Sequence, residues 1–456
     1  MFYYHRRMDL EASDLDDRRR RWLEAVLPQG RTTVDDAARV DLIRAMEELK
    51  STLCALQGDL AVDLDASQRA QQAERGERAE RRGGGVAAQI GLARRESPHR
   101  AQVLLGMAKD LRAELPHTRA ALREGRLSEH RARIVVTETS GLDPADRARV
   151  DAELCADPDA LEGVGTRRIE SLARAAAQRL DPASAVRRAR RAEGDRHVTI
   201  RPAPDTMTYL TALLPVAQGV AVYAALRAAA DSAVATGAAG ERGRGQLMAD
   251  TLVERLTGRG RADDVDVQVA VVVSDRTLLG GGTEPATVPG HGPVPAEIAR
   301  HLVAHAVDPD TDATAWVRRL YADPAGDLVA LASARRVVNE SLAAFLRLRD
   351  QGLCRTPWCD APVRHADHVE PAETGGATSA TNTQGLCEAC NHAKQAVGWR
   401  QGAGPPLRVG RHRVVTITPT GHTYVSTAPA PPRPAHPPTS RSPMEQRFAR
   451  LIAQAC

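Results

Sequence analysis

From Asp35 the apolar positions Leu42, Met46, Leu49, Leu53, Leu56 and Leu60 recur at alternating spacings of four and three. That spacing puts them on one stripe of a long helix and makes the stripe a coiled-coil-like seam. The seam spans under three heptads, so it fits packing within the chain and a homodimer through Leu42 to Leu60 equally well. A charged stretch ending in Arg81-Arg82-Gly83-Gly84-Gly85 breaks the pattern. Beyond it, start signals at Ser97-Pro98, Ser128, Asp143-Pro144 and Asp181-Pro182 predict a succession of short helices. Among these, Val103, Leu104, Met107 and Leu111 form an apolar face that reads as core.

The period then changes. His197 to Arg201 and Met207 to Leu214 read as strands, and helices follow near Val216 to Val234 and Gln246 to Leu256. Val265, Val267, Val269, Val271 and Val273 alternate as in a strand, which completes a small α+β subdomain. Residues 280–295, with Gly280-Gly281-Gly282, are expected to be a loop, and no GxGxxG or GK[ST] context there points to nucleotide binding. Pro295 opens a short helix. A longer one, about Ala334 to Arg349, carries Val337, Val338, Leu342, Phe345 and Leu346 into a cysteine-rich stretch. Arg411 to Thr418 and His422 to Val425 predict a hairpin, Ala428 to Pro443 a Pro-rich linker, and the chain ends in a short amphipathic helix.

Length and composition narrow the class. At 456 residues two or three domains are expected. With 42% hydrophobic but only 3% aromatic residues the core is built of Ala, Leu and Val, which favours close-packed helices. The fold class is therefore mainly α with a small α+β subdomain. The domains fall at 1–33 (a charged segment), 34–194 (helical bundle), 195–349 (α+β continuation), 350–426 (cysteine-rich module) and 427–456 (Pro-rich tail and short helix). The N-terminal MFYYHRRMDL has no apolar signal region, and Leu210 to Ala230 is broken by Pro215, Gly219 and Arg227. It falls short of the ~20 apolar residues of a spanning helix. A soluble, cytoplasmic protein with no membrane partner is expected, with its cysteines reduced.

The net charge is only +4, so nucleic-acid binding needs local evidence. The strongest basic cluster lies between Ala185 and Arg201, where Arg187, Arg188, Arg190, Arg191, Arg196 and Arg201 face only Glu193 and Asp195. It fits a surface that tracks a phosphate backbone, and equally an exposed helix end, since no aromatics are interleaved to stack on bases.

The unusual chemistry sits between Cys354 and Trp399. Cys354-x4-Cys359 and Cys387-x2-Cys390 are two knuckles that can present four thiolates to one tetrahedral zinc. With all four positions filled by sulfur, that zinc holds the fold and leaves no open site for catalysis. Between the knuckles lie Asp367-His368, Gly375-Gly376 and Asn382, and Asn391, His392 and Lys394 follow the last cysteine. Val363 to Val369 reads as one strand of a hairpin turning through Gly375-Gly376, with a helix starting at or near Cys390.

This pattern resembles the HNH nuclease motif with zinc knuckles. The wording from CRTPWC through ADHVEP to GLCEACNHAK is similar to the actinobacterial 13E12 repeat family, in which a long helical region precedes a C-terminal HNH module. The resemblance implies a zinc-stabilised ββα-metal module that hydrolyses DNA phosphodiester bonds with a second, divalent metal. His368 would be the general base, a task that imidazole commonly performs. Asp367 and Asn391 would hold the cation, and Asn382 would fix the loop that orients His368. Asn391 stands where the family has its final His. Its carbonyl oxygen is a harder ligand and favours Mg²⁺ or Mn²⁺. Lys394, one helical turn on, is placed to contact phosphate. His392, about 100° round the helix, looks outward to the DNA backbone or packs on the hairpin. In a regular strand Asp367 and His368 point apart, so a bulge or strand end near Asp367 is expected. The rivals are a catalytically silent zinc-containing DNA-binding module and a mobile-element-associated interaction protein.

Overall fold

The computed structural model describes residue 21 and residues 35–157, 159–258, 271–274, 277–278, 282–306, 340–404 and 411–430. Residues 1–20 and 22–34, the Val265 to Val269 part of the alternating run, residues 334–339 and residues 431–456 lie outside it. The chain is mainly helical, with four small antiparallel sheets among the described residues.

Helix α1 (Asp36–Glu74) is followed by α2 (Val86–Arg94), α3 (Pro98–Ala113), α4 (Pro116–Arg123), α5 (Glu129–Thr139), α6 (Pro144–Cys155), α7 (Thr166–Leu180) and α8 (Pro182–Ala192). The local start signals act where they stand in the sequence. Ser128 and Asp143 cap α5 and α6 by accepting from Arg131 N and Asp146 N, while Pro98 and Pro182 are the first residues of α3 and α8. Such a cap is worth about 1 kcal/mol, because it satisfies a backbone N–H that the helix leaves unpaired.

The chain divides into two compact units. The first comprises residues 1–59 and 110–177. Its core includes Leu115, Leu122, Leu127, Val135, Val150 and Ile169. Two buried polar groups brace it. Asp151 accepts from His117 N (2.7 Å), Thr118 N (2.8 Å) and Thr118 Oγ1 (2.6 Å), and so caps α4 from a neighbouring helix. Arg147 reaches Glu114 at 2.6 Å and Asp110 at 3.1 Å. The Leu42 to Leu60 seam does not form this core. Leu53, Leu56 and Leu60 are exposed, and Ala55 turns inward instead.

The second unit comprises residues 60–109 and 178–456. Ala61, Val86, Ile90 and Leu105 pack the end of α1 against α2 and α3. The hairpin β1 (His197–Pro202) with β2 (Thr208–Leu213) precedes α9 (Val216–Ala235) and α10 (Arg244–Thr257), which share a small core of Ala230, Ala239 and Leu247. The expected loop at 280–295 contains a second hairpin, β3 (Ala286–Val288) with β4 (Gly292–Val294). Val272 bridges Thr287 at its edge. Three-residue strands round a Pro-Gly turn carry too little alternation for sequence periodicity to reveal. Helices α11 (Ala296–Ala306) and α12 (Glu340–Arg349) lead to β5 (His365–His368), β6 (Thr383–Leu386) and α13 (Glu388–Lys394). The sheet β7 (Arg400–Ala403), β8 (Arg413–Ile417) and β9 (Thr423–Thr427) follows. Among the described residues no helix is long and apolar enough to cross a membrane.

Candidate metal centre and HNH site

The knuckles are shaped by short-range bonding. Cys354 N donates to Ala361 O and Cys359 N to Thr356 O, which closes the first turn. Cys387 is the N-cap of α13, its Sγ accepting from Cys390 N at 3.5 Å, so the helix begins at Glu388, two residues before Cys390. All four sulfurs are buried and lie within 4.8 Å of one another, with Cys359 Sγ and Cys387 Sγ 3.8 Å apart. Four thiolates at ~2.3 Å from a tetrahedral ion are about 3.8 Å apart, so the residues fit such an ion. The shared thiol hydrogen bonds split the group. Bonding from Cys359 draws Cys354 down to about 7, and bonding from Cys354 holds Cys387 below the ordinary thiol range, while Cys359 and Cys390 are pushed up. These four cysteines can hold a metal ion.

A buried ionic knot fastens this cluster to α12. Asp350, 2% exposed, accepts from Arg349 Nε (2.9 Å), Arg349 Nη2 (3.0 Å), Arg355 Nη1 (3.4 Å) and Gly385 N (2.9 Å). Arg349 also donates to Ala380 O and Thr383 O. Burial, reinforced by the Arg349 charge, pushes Arg355 down to about 10 against the pull of Asp350, so it stays charged at neutral pH. Leu342, Phe345 and Leu346 pack on Ala366 and Ala380 beneath the hairpin. The sequence pattern pointed to α12 as an apolar helix but carried no sign of this knot, because several of its partners are about 30 residues away along the chain.

Beside the knot stand the residues that the motif singled out. β5 and β6 pair in unbroken register, Asp367 opposite Gln384 and His368 opposite Thr383. There is no bulge, and the strand ends at His368, one residue past Asp367. His368 is 9% exposed, and its Nε2 lies 2.8 Å from Thr378 Oγ1. Asn382 clamps the turn. Its Oδ1 accepts from Glu370 N (2.9 Å), and its Nδ2 donates to Glu370 O (3.1 Å) and Ala377 O (2.9 Å). Gly376 is required there, since a Cβ would collide with Glu370 O and lie 2.7 Å from Asn382 Nδ2.

Lys394 ties α13 to β5. Its Nζ lies 2.5 Å from Asp367 Oδ2 and also bonds His368 O, so the ammonium is turned inward, with the side chain 9% exposed. Asn391, three residues earlier, shares that helical face. Its Oδ1 is shut off from solvent and has no hydrogen-bond partner among the described residues. His392 is exposed. Asp367, His368 and Lys394 therefore meet at the end of β5, with Asn382 in the adjoining turn and Asn391 one helical turn before Lys394 on α13. Arg187, Arg188, Arg190 and Arg191 stand on a different element, α8, where Arg187 pairs with Asp181 at 3.5 Å. Sequence reasoning missed Thr378, a hydroxyl in a Ser/Thr-rich turn with no motif to mark it.

The HNH endonuclease family model matches residues 354–396, the stretch that holds the four cysteines, β5, β6 and α13. A second family model, "Domain of unknown function (DUF222)", matches residues 42–350, over half the chain, and the chain belongs to that family. No curated protein and no solved structure matches.

Proposed function

We propose that the chain is a metal-dependent endonuclease that hydrolyses DNA, with zinc on the four cysteines and Mg²⁺ or Mn²⁺ between Asp367 and Asn391. The observation that carries the reading is Asn391 Oδ1. A buried carbonyl oxygen without a partner costs roughly 1–3 kcal/mol, and Asn391 lies one turn before Lys394, whose ammonium meets Asp367. A hard cation satisfies such a donor pair. When bound, it supplies charge neutralisation at the scissile phosphate and the leaving 3′ oxygen. His368 takes the proton from the attacking water. With Nε2 engaged by Thr378, Nδ1 is the nitrogen left for that proton. Asn382 keeps the 369–377 turn from swinging away from His368. The α8 arginines hold the phosphate backbone, His392 faces it, and the protein acts in the cytoplasm.

A second reading rests on Lys394. Its ammonium already neutralises Asp367, as befits a silent DNA-binding module that needs no second ion. Incubation of the purified protein with supercoiled plasmid in Mg²⁺, in Mn²⁺ and in EDTA separates the two. Nicked or linear product with metal and none in EDTA supports the nuclease; bound but intact plasmid in every buffer supports the silent module.

A further inference from the structure

The N-terminal part of the DUF222 segment packs on the chain just past α13. The turn Gly84-Gly85 leads into α2, and Trp399, just past α13, sits on it. A Cβ at Gly85 would collide with Trp399 Nε1 and come 3.0 Å from Ala396 Cβ, so no larger residue fits beneath the indole. Gly85 also has φ +78°, a conformation costly for residues with a side chain. One turn along α2, Gln89 Oε1 accepts from Thr420 Oγ1 at 3.1 Å, a second tie, to the turn between β8 and β9. Trp399 Nε1 and Gln89 Nε2 are buried without partners among the described residues, so the indole is held in its seat by shape and not by a hydrogen bond of its own. A cavity of about 20 Å³, room for one water, separates Ala88, Leu92 and Glu96 from Ala393, Lys394 and Trp399.

We infer that α2 of the DUF222 domain is a positioning element of the nuclease: the Gly84-Gly85 turn seats Trp399, and Trp399 in that seat fixes the C-terminal end of α13. α13 is seven residues long, too short to hold itself in water. Its first turn is anchored by Cys387 and Cys390. Its last turn, which carries Lys394 and its bonds to Asp367 and His368, has Trp399 as the anchor on the far side. Gly85 and Trp399 are positioning residues and touch no reacting atom. The consequence for cleavage rests on the nuclease reading, but the contact and its effect on α13 do not.

Hydrogen exchange on the full chain tests the seat without any need for activity. In Gly85→Ala the exchange of the 388–400 segment should accelerate at least tenfold. In the Gly85→Ala, Trp399→Phe double variant, where the smaller ring makes room for the methyl, it should return most of the way to the wild-type rate. Thr420→Ala, which leaves the seat itself intact, should accelerate the same segment about twofold and serves if Gly85→Ala does not fold. Unchanged exchange of 388–400 in both Gly85→Ala and Thr420→Ala overturns the inference. So does acceleration in Gly85→Ala that the phenylalanine does not reverse, since the effect would then be backbone strain at Gly85 alone.

Discussion

Lys394 Nζ stands 2.5 Å from Asp367 Oδ2, so a helix residue neutralises the strand carboxylate beside His368. A cation arriving at Asp367 works against that ammonium. Partly buried charges a few ångströms apart interact by about 1–4 kcal/mol, so Lys394→Gln is expected to tighten Mn²⁺ binding roughly tenfold in calorimetric titration. Weaker Mn²⁺ binding in that variant would mean that Lys394 organises the site more than it opposes the ion.

Asn391 and His392 separate cleanly by substitution. Asn391→Ala should raise the Mg²⁺ concentration needed for cleavage steeply. Asn391→His should restore activity with a shift toward Mn²⁺ or Ni²⁺, because imidazole is the softer ligand. His392→Ala, on the exposed side of α13, should have a modest effect. Loss of activity in His392→Ala that excess metal rescues would move the final ligand by one residue.

The four-cysteine cluster should carry one zinc per chain, read by elemental analysis of freshly purified protein. Structural zinc contributes on the order of 10 kcal/mol to folding, more than a module of this size holds in reserve. Cys387→Ser should therefore unfold the C-terminal module, seen as loss of exchange protection in β5, β6 and α13. Folded, zinc-free wild-type protein would refute the assignment.

How much of this was legible follows from the range of the interactions. Helix starts at Pro98, Ser128, Asp143 and Pro182 are set by one residue and its near neighbours, and the four cysteines announce themselves by spacing. The outward-facing Leu53, Leu56 and Leu60 show that a leucine seam does not say which side of a helix meets the core. The Asp350 knot, the Thr378 contact with His368 and the Gly85 seat join residues about 10 to over 300 positions apart, and no local pattern encodes them.

His412 sets an acid limit. Burial, with the charges of Arg349 and Arg355 nearby, pushes its pKa down to about 4. Its unfolded form takes a proton near pH 6.5 while the folded form resists until about 4, so stability falls as the pH drops through that window and changes no further from this group below it. The loss is at most about 3 kcal/mol, less whatever solvent screening removes. Denaturant melts from pH 7 to pH 4 should show it, and His412→Gln should flatten the dependence in that window.

Replacing Arg187, Arg188, Arg190 and Arg191 with Ser should weaken DNA binding and reduce the slope of log affinity against log salt by about 0.9 for each phosphate that these arginines neutralise. An unchanged slope would make the α8 cluster an exposed helix end and nothing more.

The central claim is that His368 is the base of a metal-dependent cleavage. The most direct measurement is the time course of plasmid cleavage in Mn²⁺ by His368→Ala beside wild type, with zinc content and DNA affinity measured on the same samples. Wild type should cleave and the variant should lose at least about 100-fold, within the range general-base catalysis supplies, with both control values unchanged. Cleavage by the variant at the wild-type rate would contradict the claim.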